Sequence, residues 1–210
     1  MKIVVFGATG RVGCKLVAGG IARGHEMTAA ARRPERVVAT HRLPLIVRCD
    51  LLDAAQVDAA VKGQHAVVVT AGARFALMPG KAHSEGTANV IGAMKAHAVS
   101  RLICLSAAGT HDDNDPNLPP FFTRLIRPVL LGRVWSELRA MEFRIAASGL
   151  DWTIVHVSHL TEGPALGRYR VEPGHSLPDG IRISRADVAD FILKELERDE
   201  WVRDDVAIAY

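Results

Sequence analysis

A glycine-rich loop close to the N-terminus constrains the fold of this chain more than any other feature. Residues 7–13 read Gly-Ala-Thr-Gly-Arg-Val-Gly and follow the short apolar run Ile3–Phe6. In such a G-x-x-G-x-x-G loop, Gly7 permits a tight turn, Gly10 lets the backbone approach a pyrophosphate, and Gly13 lets the helix pack closely on the strand. The N–H groups and dipole of the following helix then favour phosphate. The pattern predicts a strand–loop–helix unit that binds a dinucleotide, with a ligand-free glycine turn as the alternative.

The rest of the chain alternates short apolar runs with helical patterns. Five further strands are predicted at Met27–Ala31, Leu43–Cys49, Ala66–Thr70, Leu102–Leu105 and Trp152–Val157. Helices are predicted from Arg11, after the capping residues Asp53, Ser84 and Ser184, and around Trp135. Strands separated by helices of this length form parallel sheets through right-handed crossovers. We therefore predict a doubly wound parallel α/β sheet, the Rossmann fold, with residues 1–210 as a single domain.

Composition and charge exclude several classes of protein. The 210 residues are 49% hydrophobic and 23% charged, which excludes intrinsic disorder. A net charge of +3 is too small to indicate a nucleic-acid partner. No apolar run approaches the roughly 18 residues of a membrane span, and the apolar start is too short for a signal peptide, so we expect a cytoplasmic protein with no membrane partner. The cysteines Cys14, Cys49 and Cys104 lack a C-x-x-C spacing and are expected to be reduced and buried.

Two segments interrupt the alternation, at about residues 107–120 and 160–183. The first is polar and contains proline, and the second is long and rich in glycine and proline. In open α/β sheets, ligands bind beyond the carboxyl ends of the strands, where such loops lie. Long irregular segments in a compact domain are either functional covers or disordered, and we interpret these two as covers over an acceptor substrate.

The end of the second strand predicts which dinucleotide binds. NAD sites commonly place a carboxylate there for the ribose 2′-hydroxyl, whereas this chain has Arg32 and Arg33, with no carboxylate until Glu35. A guanidinium suits a 2′-phosphate, because it donates charge-assisted hydrogen bonds in a fixed fork. We predict NADP(H) rather than NAD(H), with Arg32 as the main contact and a solvated basic turn as the alternative.

The ends of the third and fourth strands carry further candidates for cofactor binding. Asp50 could accept a hydrogen bond from the adenine amino group, although a role in a turn is equally compatible with its position. Ala71 and Gly72 lack bulk and would let the ribose and diphosphate pass. Arg74 could reach a phosphate or lie on the surface.

The ends of the fifth and sixth strands carry the candidate catalytic residues. Ser106 ends the fifth strand and His159 follows the sixth, and both points face the nicotinamide end of the crevice in a doubly wound sheet. A serine there can hydrogen-bond the carboxamide or the substrate, and an imidazole can orient a substrate or relay a proton. The alternatives are a turn-forming serine and a histidine whose polar atoms are simply satisfied.

Two kinds of site are missing from the sequence. The only tyrosines, Tyr169 and Tyr210, do not precede a lysine by four residues, so the Tyr-x-x-x-Lys pair of short-chain dehydrogenases is absent. Alcohol–ketone chemistry is therefore not expected. His156 and His159 are too few for a zinc site, and we predict no metal site.

Several blocks together resemble a known family. They are GATGRVG at 7–13, Arg32, CDL at 49–51, SEGTANVIGAMKAHAV at 84–99, Ser106, SGLDWTIV at 148–155, His159 and ISRADVADFIL at 183–193. Nearly the whole chain thereby resembles the atypical short-chain dehydrogenases/reductases with an NmrA-like NAD(P)-binding domain, and within them the flavin reductase/biliverdin-IXβ reductase group. It departs from that group where Val157 and Ser158 stand in place of prolines, and residues 107–120 match poorly.

The resemblance implies a role for each matching residue. It places the diphosphate on Gly7, Thr9, Gly10, Arg11 and Val12. It places the 2′-phosphate on Arg32, the adenine on Asp50 and Leu51, the cofactor lining on Gly72 and Arg74, and the nicotinamide and substrate beside Ser106 and His159.

Two functions from different classes follow from these features. The first is an NADPH-dependent reductase that transfers a hydride to a flat conjugated acceptor, such as a flavin, a quinone or a linear tetrapyrrole. Such acceptors need little acid–base chemistry from the protein, because solvent can supply the proton. The second is a non-catalytic NADP(H)-binding regulator of the NmrA-like type. A nucleotide-sugar epimerase or dehydratase is disfavoured by the missing Tyr/Lys pair, and we expect a monomer or a weak homo-oligomer.

Overall fold

The apolar run at the start of the chain forms β1 (Lys2–Phe6), which lies between β2 (Glu26–Ala31) and β4 (Ala66–Val69). The computed structural model describes residues 1–37, 44–70, 82–110 and 127–210. The other strands of the sheet are β3 (Leu45–Arg48), β5 (Arg101–Ala107), β6 (Asp151–Val157), β8 (Arg170–Pro173) and β10 (Asp204–Ala209). Their order is β3-β2-β1-β4-β5-β6-β10-β8, and all pairs are parallel except β8 with β10.

Helices cover both faces of the sheet. On one face α1 (Arg11–Ala22) and α5 (Arg185–Arg198) pack on a core that includes Ile3, Val5 and Ile103. On the other face lie α2 (Ala54–Val61), α3 (Ala82–Ala96) and α4 (Arg127–Ala146), over Val4, Phe6 and Cys104. Successive residues of β1 and β5 therefore face opposite cores, as in strands that are buried on both sides. The prediction of a doubly wound parallel sheet is confirmed.

The segment at residues 160–183 is more regular than the sequence suggests. It contains β8 and most of a small parallel sheet of β7 (His159–Thr161) and β9 (Arg182–Ser184). The backbone N–H groups of Leu166 and Gly167 donate to Asp187 near the start of α5, at 3.1 and 2.8 Å. Its role as an acceptor cover stays a prediction, and residues 111–120 of the other predicted cover lie outside the described residues.

Two of the three predicted helix caps are observed. The Asp53 carboxylate accepts from the N–H groups of Ala55 and Gln56, and the Ser184 hydroxyl accepts from the N–H of Asp187. Ser84 is not a cap, because α3 already includes Ala82 and the Ser84 hydroxyl donates to Oε2 of Glu137 on α4 at 2.9 Å.

A further result concerns membranes. Among the described residues, no helix combines the length and the apolar character needed to cross a bilayer.

Candidate functional site

The glycine loop has the geometry of a phosphate cradle. Gly7 has a φ of +86°, and the N–H of Gly10 donates to the Gly7 carbonyl at 2.8 Å. A Cβ on Gly13 would lie 2.3 Å from the Gly7 oxygen, so a larger residue cannot fit there without moving the backbone. Gly10 is the N-cap of α1 and contributes no side-chain cap, which leaves the start of the helix open to a ligand.

The residues around the loop divide into exposed side chains and backbone. Thr9 and Arg11 are exposed, whereas the Val12 side chain is buried in the core and can offer a phosphate only its N–H. Arg11 Nη1 lies 3.6 Å from Glu162 Oε1, and Arg185 Nη1 lies 3.0 Å from the same oxygen. Through Glu162, the 160–183 segment reaches the helix end where phosphates are expected.

The ends of β2 and β3 lie side by side at the same edge of the sheet. Arg32 and Arg33 follow β2 and are exposed. The N–H of Cys49 donates to the Ala31 carbonyl at 3.0 Å, which brings Asp50 beside this basic pair.

The two residues predicted to contact adenine also have structural roles. One Asp50 oxygen accepts from the N–H of Leu52 at 3.1 Å, so the turn role is observed and the adenine contact stays a prediction. The carbonyl of Leu51 accepts from the side chain of Asn89 on α3 at 2.8 Å, which holds the turn after β3 against α3. Ala71, Gly72 and Arg74 lie outside the described residues.

Ser106 belongs to a buried polar pair. Its side chain is buried near the end of β5, and its hydroxyl donates a hydrogen bond to Oε1 of Glu142 on α4. Glu142 is only 4% exposed. Because the hydroxyl proton is directed at the carboxylate, the serine oxygen can offer a ligand its lone pairs. We did not predict Glu142, although it shares a helix face with Leu138 and Ile145, and that position could have identified it.

The structure places His156, rather than His159, against this pair. His156 is paired with Ser106 in the β5–β6 register, and its side chain is fully buried. Its Nδ1 lies 3.2 Å from the Ala107 carbonyl oxygen and 3.9 Å from Glu142 Oε1. His159 is exposed at the start of β7, and within the part of the chain that the structure describes its ring makes no hydrogen bond to Ser106. Its role beside the acceptor stays a prediction.

Both tyrosines are engaged elsewhere. The hydroxyl of Tyr169 donates to Asp190 at 3.1 Å and that of Tyr210 to Asp187 at 2.5 Å, so both bind α5. Burial, followed by the charge of Asp190, raises the pKa of the Tyr169 phenol. Since Ser106 points to α4 on the opposite face, neither phenol is part of its surroundings.

Comparison with known proteins identifies the family. The profile of NAD(P)H-binding proteins matches residues 7–199. The chain belongs to this NAD(P)H-binding family. Its ligand is therefore NAD(P)(H), and the uncapped start of α1 behind the glycine loop fits the diphosphate of that cofactor.

Similar proteins are found both by sequence and by structure. An uncharacterised chloroplastic protein of Arabidopsis thaliana is 28% identical, over 95% of this chain and 73% of its own length. A short-chain dehydrogenase/reductase of Veillonella parvula in complex with NADP superposes with a TM-score of 0.83 at 19% identity, covering 100% of this chain and 94% of that one. ChuY, an anaerobilin reductase of Escherichia coli O157:H7, gives 0.80 at 22% identity, over 100% and 97%. The two structures confirm the Rossmann fold.

Proposed function

We propose that this chain is an NADPH-dependent reductase of small, flat, conjugated acceptors such as a flavin, a quinone or a linear tetrapyrrole. When bound, the cofactor supplies the hydride, and solvent supplies the proton that completes the two-electron reduction. The observation that carries the proposal is that both tyrosine hydroxyls donate to aspartates of α5. Since the chain has two tyrosines, no phenol is left to exchange a proton with an alcohol or ketone. An acceptor that takes its proton from water needs no such group.

The preference for NADPH rests on the basic pair at the end of β2. Arg32 and Arg33 are exposed where a dinucleotide fold receives the adenosine ribose, and a guanidinium matches a phosphate dianion in charge and geometry. The structurally similar short-chain dehydrogenase/reductase of Veillonella parvula was solved in complex with NADP, which is compatible with this preference.

Ser106 and Glu142 would position the reacting rings. With its proton directed at Glu142, Ser106 is an acceptor for the N–H₂ of the nicotinamide carboxamide. Glu142 is buried on α4, and its hydrogen bond therefore fixes the rotamer of Ser106. His159, exposed just beyond β6, would contact the acceptor from the other side of the crevice. Catalysis would consist mainly of holding two planar rings face to face.

The 160–183 segment would close the site. Glu162 bridges Arg11 of α1 and Arg185 of α5, and the segment is tied to α5 through Asp187. It therefore lies next to the proposed diphosphate site, where a cover over cofactor and acceptor is needed. A cytoplasmic location and a monomeric or weakly associating state stay predictions.

Oxidation of NADPH by the purified chain tests the proposal. We expect oxidation above the protein-free control with at least one of FMN, a soluble quinone and a linear tetrapyrrole. Ser106→Ala should slow it about five- to tenfold, which corresponds to the roughly 1 kcal/mol of one hydrogen bond. Ser100→Ala, an exposed serine before β5, is the matched control and should behave as the wild type.

One outcome would overturn the reductase assignment, and a second would overturn the role of Ser106. NADPH binding without oxidation in the presence of any of the three acceptors would favour the NADP(H)-binding regulator. Equal rates for Ser106→Ala and the wild type would remove Ser106 from the mechanism.

A further inference from the structure

A second polar cluster lies one strand beyond Ser106, where β6, β10 and the chain after β8 meet. His156 Nε2, at the buried end of β6, lies 3.2 Å from Asp205 Oδ1 on β10. The ring of His175 meets that of His156 edge-on, with centroids 4.8 Å apart and planes at 78°. The potential ligand atoms of the three residues all lie within 4.8 Å of one another.

The His156 ring has a hydrogen-bond acceptor beside each of its two nitrogens. Its Nδ1 faces the Ala107 carbonyl oxygen at 3.2 Å and the Glu142 carboxylate at 3.9 Å, and both groups are acceptors. A ring proton on Nδ1 satisfies this side of the ring and leaves the Nε2 lone pair for another ligand. Histidines that bind metals usually donate their second N–H to a carbonyl or carboxylate in this way, which fixes the tautomer.

A ring proton on Nε2 would serve Asp205 but leave Nδ1 facing two acceptors, so a single ring proton cannot satisfy both sides of His156. A ring protonated only on Nδ1 presents the Nε2 lone pair to the carboxylate of Asp205, and two acceptors 3.2 Å apart repel. Either a second ring proton or a metal ion between the two groups removes this repulsion. The contact alone is compatible with both.

The positions of the three ligands favour a metal ion. Bonds of about 2.0–2.1 Å around a tetrahedral Zn²⁺ place the ligand atoms roughly 3.4 Å apart, close to the observed 3.2 Å. Two imidazoles on one such ion have ring centroids about 5 Å apart, close to the observed 4.8 Å. Two imidazoles and one carboxylate with an open fourth position form a donor set that suits zinc.

We propose that His156, His175 and Asp205 bind a divalent transition-metal ion of the zinc type, with water as the fourth ligand. The sequence predicts no metal site, because only His156 and His159 are close together along the chain. In the folded chain, His175 and Asp205 lie next to His156 instead. The ion would connect β6 to β10 and to the chain after β8. It would lie close to the turn that follows β5, the strand that carries Ser106. The N–H of Gly109 in that loop donates to the His175 carbonyl at 3.3 Å.

Titration of the tag-free, chelator-treated full chain with Co²⁺ and then Zn²⁺ tests the site. We expect one equivalent of Co²⁺ to produce the intense visible absorption of a four-coordinate ion, and Zn²⁺ to displace it. His175→Ala and Asp205→Asn should each weaken binding by more than the roughly 10- to 100-fold that loss of an outer-shell partner costs. Both residues are half-buried, so their replacement should leave the fold intact. His159→Ala and His97→Ala are the controls and should bind as the wild type does.

Thermal unfolding gives a readout that is independent of redox activity. Zn²⁺ should raise the Tm of the wild type and of His159→Ala, but not that of His175→Ala. The absence of saturable binding, or unchanged binding by His175→Ala and Asp205→Asn, would overturn the proposal. The His156–Asp205 contact would then be a hydrogen bond with a structural role alone. Neither result depends on NADPH oxidation, so the reductase proposal is tested separately.

Discussion

At the scale of single residues, cofactor choice depends on Arg32. We expect Arg32→Ala to weaken NADPH binding by about 10- to 100-fold, because a hydrogen bond to a charged group contributes roughly 1.5–3 kcal/mol. NADH lacks the 2′-phosphate, so its affinity should not change. Calorimetric titration with both dinucleotides measures the difference, and Arg144→Ala, an exposed arginine on α4, is the control. Equal loss of affinity for both dinucleotides would assign Arg32 a structural role instead.

The three cysteines should differ in reactivity. All are free thiols, but Cys14 is only half-buried, whereas Cys49 and Cys104 are buried. Burial, with smaller effects of Asp50 and Asp53, raises the pKa of Cys49 to about 11. Burial also raises the pKa of Cys104, with a smaller effect of Glu142.

Iodoacetamide at pH 8 should therefore modify Cys14 first, because only the thiolate reacts. Peptide mapping by mass spectrometry identifies the modified residue. The denatured chain, in which all three thiols should react, is the control. Modification of Cys104 in the native chain as fast as that of Cys14 would show that the core opens readily.

The residues of the site were predictable to different degrees. Gly7 and Gly13 could be predicted because a positive φ and a close backbone approach are local requirements that leave a glycine in the sequence. The contacts of His156 with Glu142 and Asp205 could not be predicted, because they form only through helix packing and strand register. Pairing between distant strands is a tertiary property, and short sequence patterns do not encode it.

At the scale of elements, the start of α5 depends on Asp187. Its carboxylate accepts from the hydroxyls of Tyr210 and Ser184 and from the N–H groups of Leu166 and Gly167. Burial acts to raise the pKa of Asp187, but these hydrogen bonds outweigh it and hold the pKa below its usual value of 3.8. The native state therefore binds this proton less tightly than the unfolded chain. The stabilisation is complete above the ordinary pKa and is lost as the pH falls through the lowered one.

We expect Asp187→Asn to lower the free energy of unfolding by about 1–3 kcal/mol at pH 7, because buried donors lose a charged acceptor. The difference from the wild type should shrink as the pH is lowered from about 5 to 3. Urea unfolding at several pH values measures both, with Glu35→Gln, an exposed carboxylate, as the control. A difference that stays constant down to pH 3 would contradict the assigned cause.

The two strands of the main sheet that we did not predict, β10 and β8, lie together at one edge of the sheet. β8 reads Arg-Val-Glu-Pro and is mostly exposed, and β10 begins with two aspartates. β8 has no continuous apolar run like that of β4, and it is a strand because β10 offers it backbone partners. β10 does contain four consecutive buried apolar residues, Val206–Ala209, so a local signal for this strand was present in the sequence. The helices were predicted better, since their apolar stripes and the caps Asp53 and Ser184 are local patterns.

At the scale of the whole molecule, a buried ion pair holds α5 to the amino end of β5. Arg101 Nη2 lies 2.6 Å from Glu195 Oε1, both side chains are buried, and Arg101 also donates to Thr153 at 2.9 Å. Burial raises the pKa of Glu195 in spite of the hydrogen bond from Trp201 and the charge of Arg101. A carboxylate in this position depends strongly on its partner.

Removal of one partner should cost more than removal of both. We expect Arg101→Met to lower the free energy of unfolding by about 3–5 kcal/mol, because it leaves a buried carboxylate without its partner. The double variant Arg101→Met/Glu195→Met should recover much of this loss. Urea unfolding of both variants decides, and a double variant less stable than Arg101→Met alone would show that the pair itself is strongly stabilising.

The fate of a deuterium label on NADPH shows whether this chain transfers a hydride from the cofactor. NADPH carrying deuterium on one defined face of C4 is oxidised by the chain in the presence of FMN, a quinone or a tetrapyrrole, and the NADP⁺ formed is analysed by mass spectrometry. A cofactor held in one orientation beside Ser106 should lose its hydride from one face only, so the label should be either fully retained or fully lost. Loss from both faces, or no NADP⁺ above the protein-free control, would contradict the account.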